Sequence, residues 1–545
     1  MEESSLLPSA STSSSSSSLF GLHTCSVLAL FLLSWVSIHM WKQRHQRCPK
    51  TWPVIGSTIE QLKNYDRMHD WLAGYLSESK TVTVSLPFKS YTYIADPASV
   101  EHVLKTKFTN YPKVISVFGP KPYSRCNLSH VDVQVLEGGS RKTASLEFAS
   151  KNLRDFSTRV FREHALKLSR ILCQVPVDRD LQRLWAQDLF MRMTLDSISK
   201  IGFGVEIGTL AADLPENAFA QAFDDANIIV TNRFIDPFWR IKRLLRVQGE
   251  GRLQRSIKVL DEFTYDIIRT RKAKIKLARA NERNGDKMKH DLLSRFIELG
   301  EGDGSIFSDD KSLRDVVLNF VIAGRDTTAA TLSWFVYMVM THPGVAEKLH
   351  DELKAFEEER AKEEEGVARL VEAFDDRLTQ FAGFLSYDSM GRLAYLHACI
   401  LETLRLYPAV PQDPKGILED DVLPDGTKVK AGDMVVYVPY VMGRMEYNWG
   451  PDAALYKPER WFKDGVLQTV SPFKFTAFQC IELDKVPEEP EIDPIDLQFY
   501  NEDSEPILEW VEAVENQEDP LLDEVGDPQR PSYFYHHGNR RGRTS

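Results

Sequence analysis

An acid and an alcohol stand side by side in the middle of a long, mostly apolar segment, residues 311–341. The centre of this segment reads Ala323-Gly324-Arg325-Asp326-Thr327-Thr328. Glycine and alanine allow a bulky, flat group to approach a helix backbone, and a carboxylate beside a hydroxyl can relay protons. The pattern predicts a chemical site here. The alternative is a kinked core helix whose threonine hydroxyls bond back to its own carbonyls.

Candidate capping residues bracket this segment. Ser308, Asp309 and Asp310 can begin a helix, and Pro343-Gly344 can end it. At the rise per residue of an α-helix, the segment would span roughly 45 Å. The sequence therefore predicts one helix that crosses a whole domain.

Two charged motifs follow downstream. Glu402 and Arg405 are three positions apart, so a helix would place them on one face. Arg460, in Lys457-Pro458-Glu459-Arg460-Trp461, could supply the same glutamate with a second arginine. Taken singly, such motifs are usually a solvated ion pair or a surface turn, so their order along the chain carries the information.

In this order and spacing, the three motifs resemble those of the cytochrome P450 superfamily of haem-thiolate monooxygenases. The chain is most similar to the plant fatty-acid-hydroxylase clan, particularly the pollen-wall long-chain fatty acid omega-hydroxylases. The resemblance covers about residues 50–113 and 141–479. Further stretches that carry it are Trp52–Gly56, Arg141–Ser145, Phe148–Phe156, Gly202–Gly208 and Tyr440–Trp449.

The resemblance implies a mainly α fold with a small β-sheet, the cytochrome P450 fold, and a haem cofactor. Asp326 and Thr327 would be the catalytic pair that delivers protons during oxygen activation. The residues that it assigns to the haem are Arg141, which would reach a propionate, Ala323 and Gly324. The residues that it assigns to a buried structural triad are Glu402, Arg405 and Arg460.

The same resemblance implies omega-hydroxylation of long-chain fatty acids, in lipid and sporopollenin precursor metabolism, with electrons from an NADPH-cytochrome reductase. Ala218–Val230 and Phe234–Leu245 would cover the substrate, although plain core packing is the alternative for both. We expect a monomer. The basic run 269–279 and the acidic run 357–365 fit solvated faces and do not suggest nucleic acid.

The loop that should supply the cysteine ligand of the iron is missing from its expected position. The family loop has the form Phe-x-x-Gly-x-Arg-x-Cys-x-Gly, and Lys485 stands at its cysteine position when the loop is counted from Phe478. Cys480 lacks the flanking glycines and arginine, and nearby Glu482 and Asp484 would raise the pKa of its thiol. We therefore predict no secure metal ligand, and a fold that is incomplete at this loop and at the helix that normally follows it.

A second departure covers residues 114–140, which do not resemble the family although their number fits its spacing. Glu137 stands where the family normally has a tryptophan. We interpret the segment as a reading-frame excursion, caused by an error in sequence, assembly or splicing, or by decay of the gene.

The remaining organisation follows from composition. Residues 1–18 are Ser-rich and predicted to be disordered, and the apolar stretch 19–41 is predicted to be a transmembrane signal anchor in the endoplasmic reticulum membrane. Interfacial binding and cleavage are the alternatives. Residues 42–56 form a basic, Pro-rich hinge, and 57–479 form the cytochrome P450 domain, which the downstream positive charges would place in the cytosol.

Residues 480–545 are predicted to be an acidic, disordered tail outside the family. Ile481 to Ser545 contain eighteen acidic residues, one lysine and four arginines, so they account for the net charge of -12 of the whole chain. The six cysteines form no metal-like pairs, which fits reduced thiols. Alternating residues in Thr81–Ser85 and Tyr91–Ile94 predict a hairpin.

Two hypotheses remain open. The chain is either a membrane-anchored monooxygenase or a noncatalytic remnant, including the case of a faulty gene prediction, that cannot bind haem. For the sequence as written, loss of the cysteine loop favours the second.

Overall fold

The computed structural model describes most of the chain between residues 48 and 477. The described ranges are 30–31, 34–39, 41, 43, 48–86, 89–112, 151–174, 179–211, 213–235, 239–247, 249–280, 291–301, 309–365 and 374–477. The predictions for residues 1–18, 114–140, Arg141, Cys480 and the tail lie outside these ranges.

The described chain is mainly helical, as predicted. Its helices in chain order are α1 (Thr58–Lys63), α2 (Met68–Ser79), α3 (Pro97–Glu101), α4 (Lys151–Gln174), α5 (Arg179–Phe203), α6 (Ala218–Ile235), α7 (Trp239–Leu245), α8 (Glu250–Ala280), α9 (Leu292–Gly300), α10 (Asp310–Thr341), α11 (Pro343–Glu365), α12 (Phe374–Phe384), α13 (Tyr387–Met390), α14 (Ala394–Leu406), α15 (Pro439–Met442) and α16 (Glu446–Trp449). A 3-10 turn covers Pro458–Trp461.

A small sheet accompanies the helices. The strands in chain order are β1 (Thr81–Ser85), β2 (Ser90–Ile94), β3 (Asp413–Gly416), β4 (Asp421–Val422), β5 (Lys428–Val429), β6 (Met434–Tyr437), β7 (Phe462–Lys463) and β8 (Val466–Leu467). One four-stranded sheet has the order β1-β2-β6-β3, with β2 and β6 parallel and the other pairs antiparallel. The β1–β2 hairpin confirms the strands that were predicted from alternation.

The predicted long helix is α10, and it runs without interruption for 32 residues. The side chain of Asp309 caps it by accepting a hydrogen bond of 2.7 Å from the backbone nitrogen of Ser312. His342 separates it from α11, which begins at Pro343. The predicted start and stop signals are therefore those that the chain uses.

The N-terminal half of α10 is surrounded by helices. Residues from Leu313 to Ala323 lie in one hydrophobic cluster with α4, α5, α6, α8 and α9. Phe219 and Phe223 of α6 are buried in this cluster, as the core-packing alternative predicted, whereas Ile228 of α6 is 52% exposed. A second cluster packs α2 and α15 against the four-stranded sheet. The site region on α10 is thus held by apolar packing along half of the helix.

The predicted anchor at 19–41 lies mostly outside the described ranges. Helical residues occur at 30–31, 34–39 and 41. Within the part of the chain that the structure describes, every helix is too short or too polar to cross a bilayer.

Gly443 tests how tightly the turn after α15 packs on α14. A Cβ at this position would overlap the carbonyl oxygen of Arg405, and this backbone atom cannot rotate aside as the end of a side chain can. We expect Gly443→Ala to lower the free energy of unfolding by about 3 kcal/mol, measured by urea denaturation followed by circular dichroism.

Gly383→Ala is the matched control for this substitution. Gly383 lies within α12, and a Cβ there would meet no heavy atom within 4 Å. Its free energy of unfolding should change by less than about 1 kcal/mol. An equal loss in both variants would contradict the close approach of the turn to α14.

Candidate active site

At the centre of α10, buried residues are followed within one turn by half-buried ones. Ala323, Gly324 and Arg325 are buried, whereas Asp326, Thr327 and the next residue are partly exposed. The acid and the alcohol that the sequence singled out are therefore adjacent at the edge of the core. Solvent or a small molecule can reach both side chains while α10 stays folded.

The Thr327 hydroxyl donates a hydrogen bond of 2.5 Å to the carbonyl oxygen of Ala323. Thr331 donates in the same way to the carbonyl of Thr327 at 3.0 Å. These are the back-bonded hydroxyls of the alternative interpretation, but α10 stays continuous through them. The Thr327 oxygen can still accept a hydrogen bond, and its proton becomes available only when the hydroxyl turns away from Ala323.

Asp326 contacts two polar side chains. Its Oδ1 lies 3.4 Å from Nη1 of Arg325, and its Oδ2 accepts a hydrogen bond of 3.4 Å from Nδ2 of Asn227. Asn227 belongs to α6, which lies across α10 at this point. Sequence reasoning missed this residue, because nothing local connects positions that are 99 residues apart.

Gly324 permits close packing of α10 on α5. A Cβ at Gly324 would lie 2.9 Å from Cδ1 and Cγ1 of Ile198. The space that the glycine leaves is therefore filled by an isoleucine on the side facing α5. A contact between Gly324 and a cofactor stays a prediction.

The structure brings Glu402, Arg405 and Arg460 together in the interior. Arg405 Nε and Nη2 each lie 2.7 Å from one oxygen of Glu402, and Arg460 Nε lies 2.9 Å from Oε1. The side chains of Glu402 and Arg405 are fully buried, and that of Arg460 is 9% exposed. One carboxylate thus pairs with two guanidinium groups, and removing it would leave buried positive charge without its main partner.

Further donors complete the coordination of Glu402. The indole Nε1 of Trp461 donates to Oε2 at 3.1 Å, and the backbone nitrogen of Lys457 donates to Oε1 at 2.8 Å. Asp452 gives Arg460 a second carboxylate at 3.1 Å from Nη1. Sequence reasoning did not assign roles to these residues, although Trp461 lies inside a motif that it quoted.

Arg405 also holds two other segments of the chain onto α14 through its remaining protons. It donates to the carbonyl of Ala453 at 2.6 Å, to that of Leu455 at 3.0 Å and, by a short contact, to that of Gly443. Burial lowers the pKa of Arg405 from its ordinary value, and the Glu402 carboxylate opposes that shift. The triad therefore fixes the turn after α15 and the residues before the 3-10 turn onto α14.

A haem-thiolate site needs a deprotonated cysteine. Among the described residues, Cys48 and Cys173 are exposed on the surface, and Cys399 is buried within α14. Burial raises the pKa of the Cys399 thiol to about 12, so this group stays protonated. The described part of the chain therefore contains the predicted acid–alcohol pair and triad, and its one buried cysteine is protonated. Cys480 and Arg141 lie outside it.

Comparison with known proteins identifies related chains. A family profile described as Cytochrome P450 matches residues 47–479. Cytochrome P450 704B1 from Arabidopsis thaliana is 58% identical over 471 residues, which cover 84% of this chain and 88% of that protein. Cytochrome P450 704C1 from Pinus taeda is 40% identical, covering 84% and 86%, and Cytochrome P450 86B1 from Arabidopsis thaliana is 35% identical, covering 84% and 81%.

Glu402→Gln tests the charge balance of the triad. The glutamine keeps the shape of the side chain but removes the negative charge that Arg405 and Arg460 share, so buried positive charge is left unbalanced. We expect a loss of about 3–5 kcal/mol in the free energy of unfolding, measured by urea denaturation.

Glu459→Gln is a control in the same region. Glu459 pairs with Lys348, but its side chain is 39% exposed, so the loss should be about 0.2–1 kcal/mol. If Glu402→Gln were as mild as this control, the triad would not be a structural constraint.

Proposed function

The chain belongs to the cytochrome P450 family, and from this premise we propose that its scaffold is that of a monooxygenase for the terminal carbon of long-chain fatty acids. Family membership implies monooxygenase chemistry and a haem cofactor, which would supply the oxidation when bound. The residues assigned to hold it are Arg141, Ala323 and Gly324.

The observation that carries the proposal is the position of Asp326 and Thr327 on α10. The two side chains are adjacent and half-buried in a helix whose preceding turns are fixed in the core. Asp326 would hold a proton and Thr327 would pass it on after its hydroxyl leaves the Ala323 carbonyl. General acid catalysis of this kind depends on such fixed positions.

The substrate class is proposed from similarity to the pollen-wall omega-hydroxylases, and 58% identity with Cytochrome P450 704B1 supports it. Attack at the terminal carbon requires a pocket that holds the end of the acyl chain at the reacting position. The proposed products are omega-hydroxy fatty acids for lipid and sporopollenin precursors. An NADPH-cytochrome reductase would supply electrons to a monomer at the endoplasmic reticulum membrane, anchored through residues 19–41.

A noncatalytic remnant is the second candidate, and specific residues favour it. Lys485 stands at the ligand position of the cysteine loop, and burial raises the thiol pKa of Cys399, the one buried cysteine among the described residues, to about 12. A chain without an axial ligand would keep the helical scaffold and the triad but would not retain haem. The carboxylates near Cys480 also oppose its use as a substitute ligand.

The carbon monoxide difference spectrum of reduced membranes that carry the full 545-residue chain separates the two candidates. The monooxygenase requires a Soret band at the thiolate position that Cys480→Ala abolishes. Cys399→Ala should leave this band unchanged, because the Cys399 thiol is buried in α14.

A correctly folded chain without the band, as judged by circular dichroism, would overturn the monooxygenase proposal and support the remnant. With a band present, hexadecanoic acid, NADPH and a plant reductase should yield the omega-hydroxy acid. An exclusively in-chain product would overturn the proposed position of attack.

A further inference from the structure

Helix α6 lies against α10 at the position of the candidate acid. Asp224 and Asn227 are three residues apart on α6, so they share one helical face. Asp224 contacts Arg325 and Asn227 contacts Asp326. Two consecutive residues of α10 are thus held by one turn of α6.

Arg325 is the buried member of this group. It is 4% exposed, and its guanidinium binds Asp224 in a bidentate manner, with Nη1–Oδ1 at 2.6 Å and Nη2–Oδ2 at 3.2 Å. The guanidinium also lies 5.3 Å from the ring centre of Phe223, which is buried. Burial lowers the pKa of Arg325, but the carboxylates of Asp224 and Asp326 outweigh it and raise the pKa above its ordinary value. The arginine therefore stays charged at this contact.

The orientation of Asp326 follows from these contacts. One of its oxygens faces Arg325 at 3.4 Å, and the other accepts from Asn227 at 3.4 Å. Asn227 acts directly, whereas Asp224 acts by fixing the guanidinium that Asp326 faces. Both contacts depend on the placement of α6.

We propose that Asp224, Asn227 and Arg325 are positioning residues for Asp326, so that helix α6 sets the direction of the candidate proton-relay carboxylate. The functional consequence rests on the proposed function, which gives Asp326 its role. The positioning itself requires only the contacts between α6 and α10. A shift of α6 relative to α10 would change these contacts and so the orientation of the acid.

Carboxyl labelling of the full chain with a carbodiimide and glycine ethyl ester, read by peptide mass spectrometry, tests the positioning. The Asp326 side chain is 34% exposed, so its carboxyl group should be labelled at a measurable rate in the unsubstituted chain. In Asn227→Ala and in Asp224→Asn the labelling rate of Asp326 should rise about fivefold, because a restraint of the size of one net hydrogen bond is lost.

Two further variants make this test specific. Asp224→Glu keeps the charge that fixes Arg325 and should restore a rate close to that of the unsubstituted chain. Asp225→Asn is the matched control on the next residue of α6, since Asp225 pairs with Arg252 of α8 and not with α10. Unchanged labelling of Asp326 in the first two variants, or an equal rise in Asp225→Asn, would overturn the proposal.

The labelling experiment and the carbon monoxide spectrum test the two proposals separately. A rise in Asp326 labelling without a thiolate Soret band would support the positioning and overturn only the monooxygenase. With the band present, Asp224→Asn should lower the share of NADPH electrons that reach hydroxylated product, and Asp224→Glu should restore it. An unchanged share would overturn the link between α6 and proton supply.

Discussion

One buried carboxylate that pairs with two arginines is the constraint on which much of this structure depends. Glu402 is fully buried, and Arg405, Arg460 and two N–H donors surround its carboxylate, as a buried charged group requires. The same arginines reach backbone carbonyls in the segments that follow α15. An electrostatic requirement of one residue thereby fixes the course of the chain from Gly443 to Trp461.

The middle of α10 has less apolar burial than the rest of the helix. Its small and polar residues give up apolar burial, and the rest of the helix compensates with a continuous cluster from Leu313 to Ala323. Gly324 lets α5 approach closely, and the guanidinium of Arg325 forms an ion pair with Asp224 of α6. The acid and the alcohol therefore lie between a rigid half of the helix and a neighbouring helix that is tied to it by an ion pair.

Positioning and ligand supply are separate properties of this chain. The described residues bring together an adjacent acid and alcohol on α10 and a buried triad around Glu402, while Cys48 and Cys173 are exposed and the pKa of the buried Cys399 thiol is raised to about 12. Hydrophobic packing and charge balance hold this part of the scaffold, and neither of them requires an iron ligand.

Local patterns in the sequence determined the elements: the caps and apolar period of α10, the alternation of β1 and β2, and the helical face shared by Glu402 and Arg405. These features depend on neighbours a few residues apart, which a sequence displays directly. Only the tertiary structure decided that Asp224 and Asn227 meet Arg325 and Asp326, that Trp461 completes the shell of Glu402, and that Ile198 fills the space beside Gly324. Such contacts join residues far apart in sequence, and they are selected by how whole helices pack.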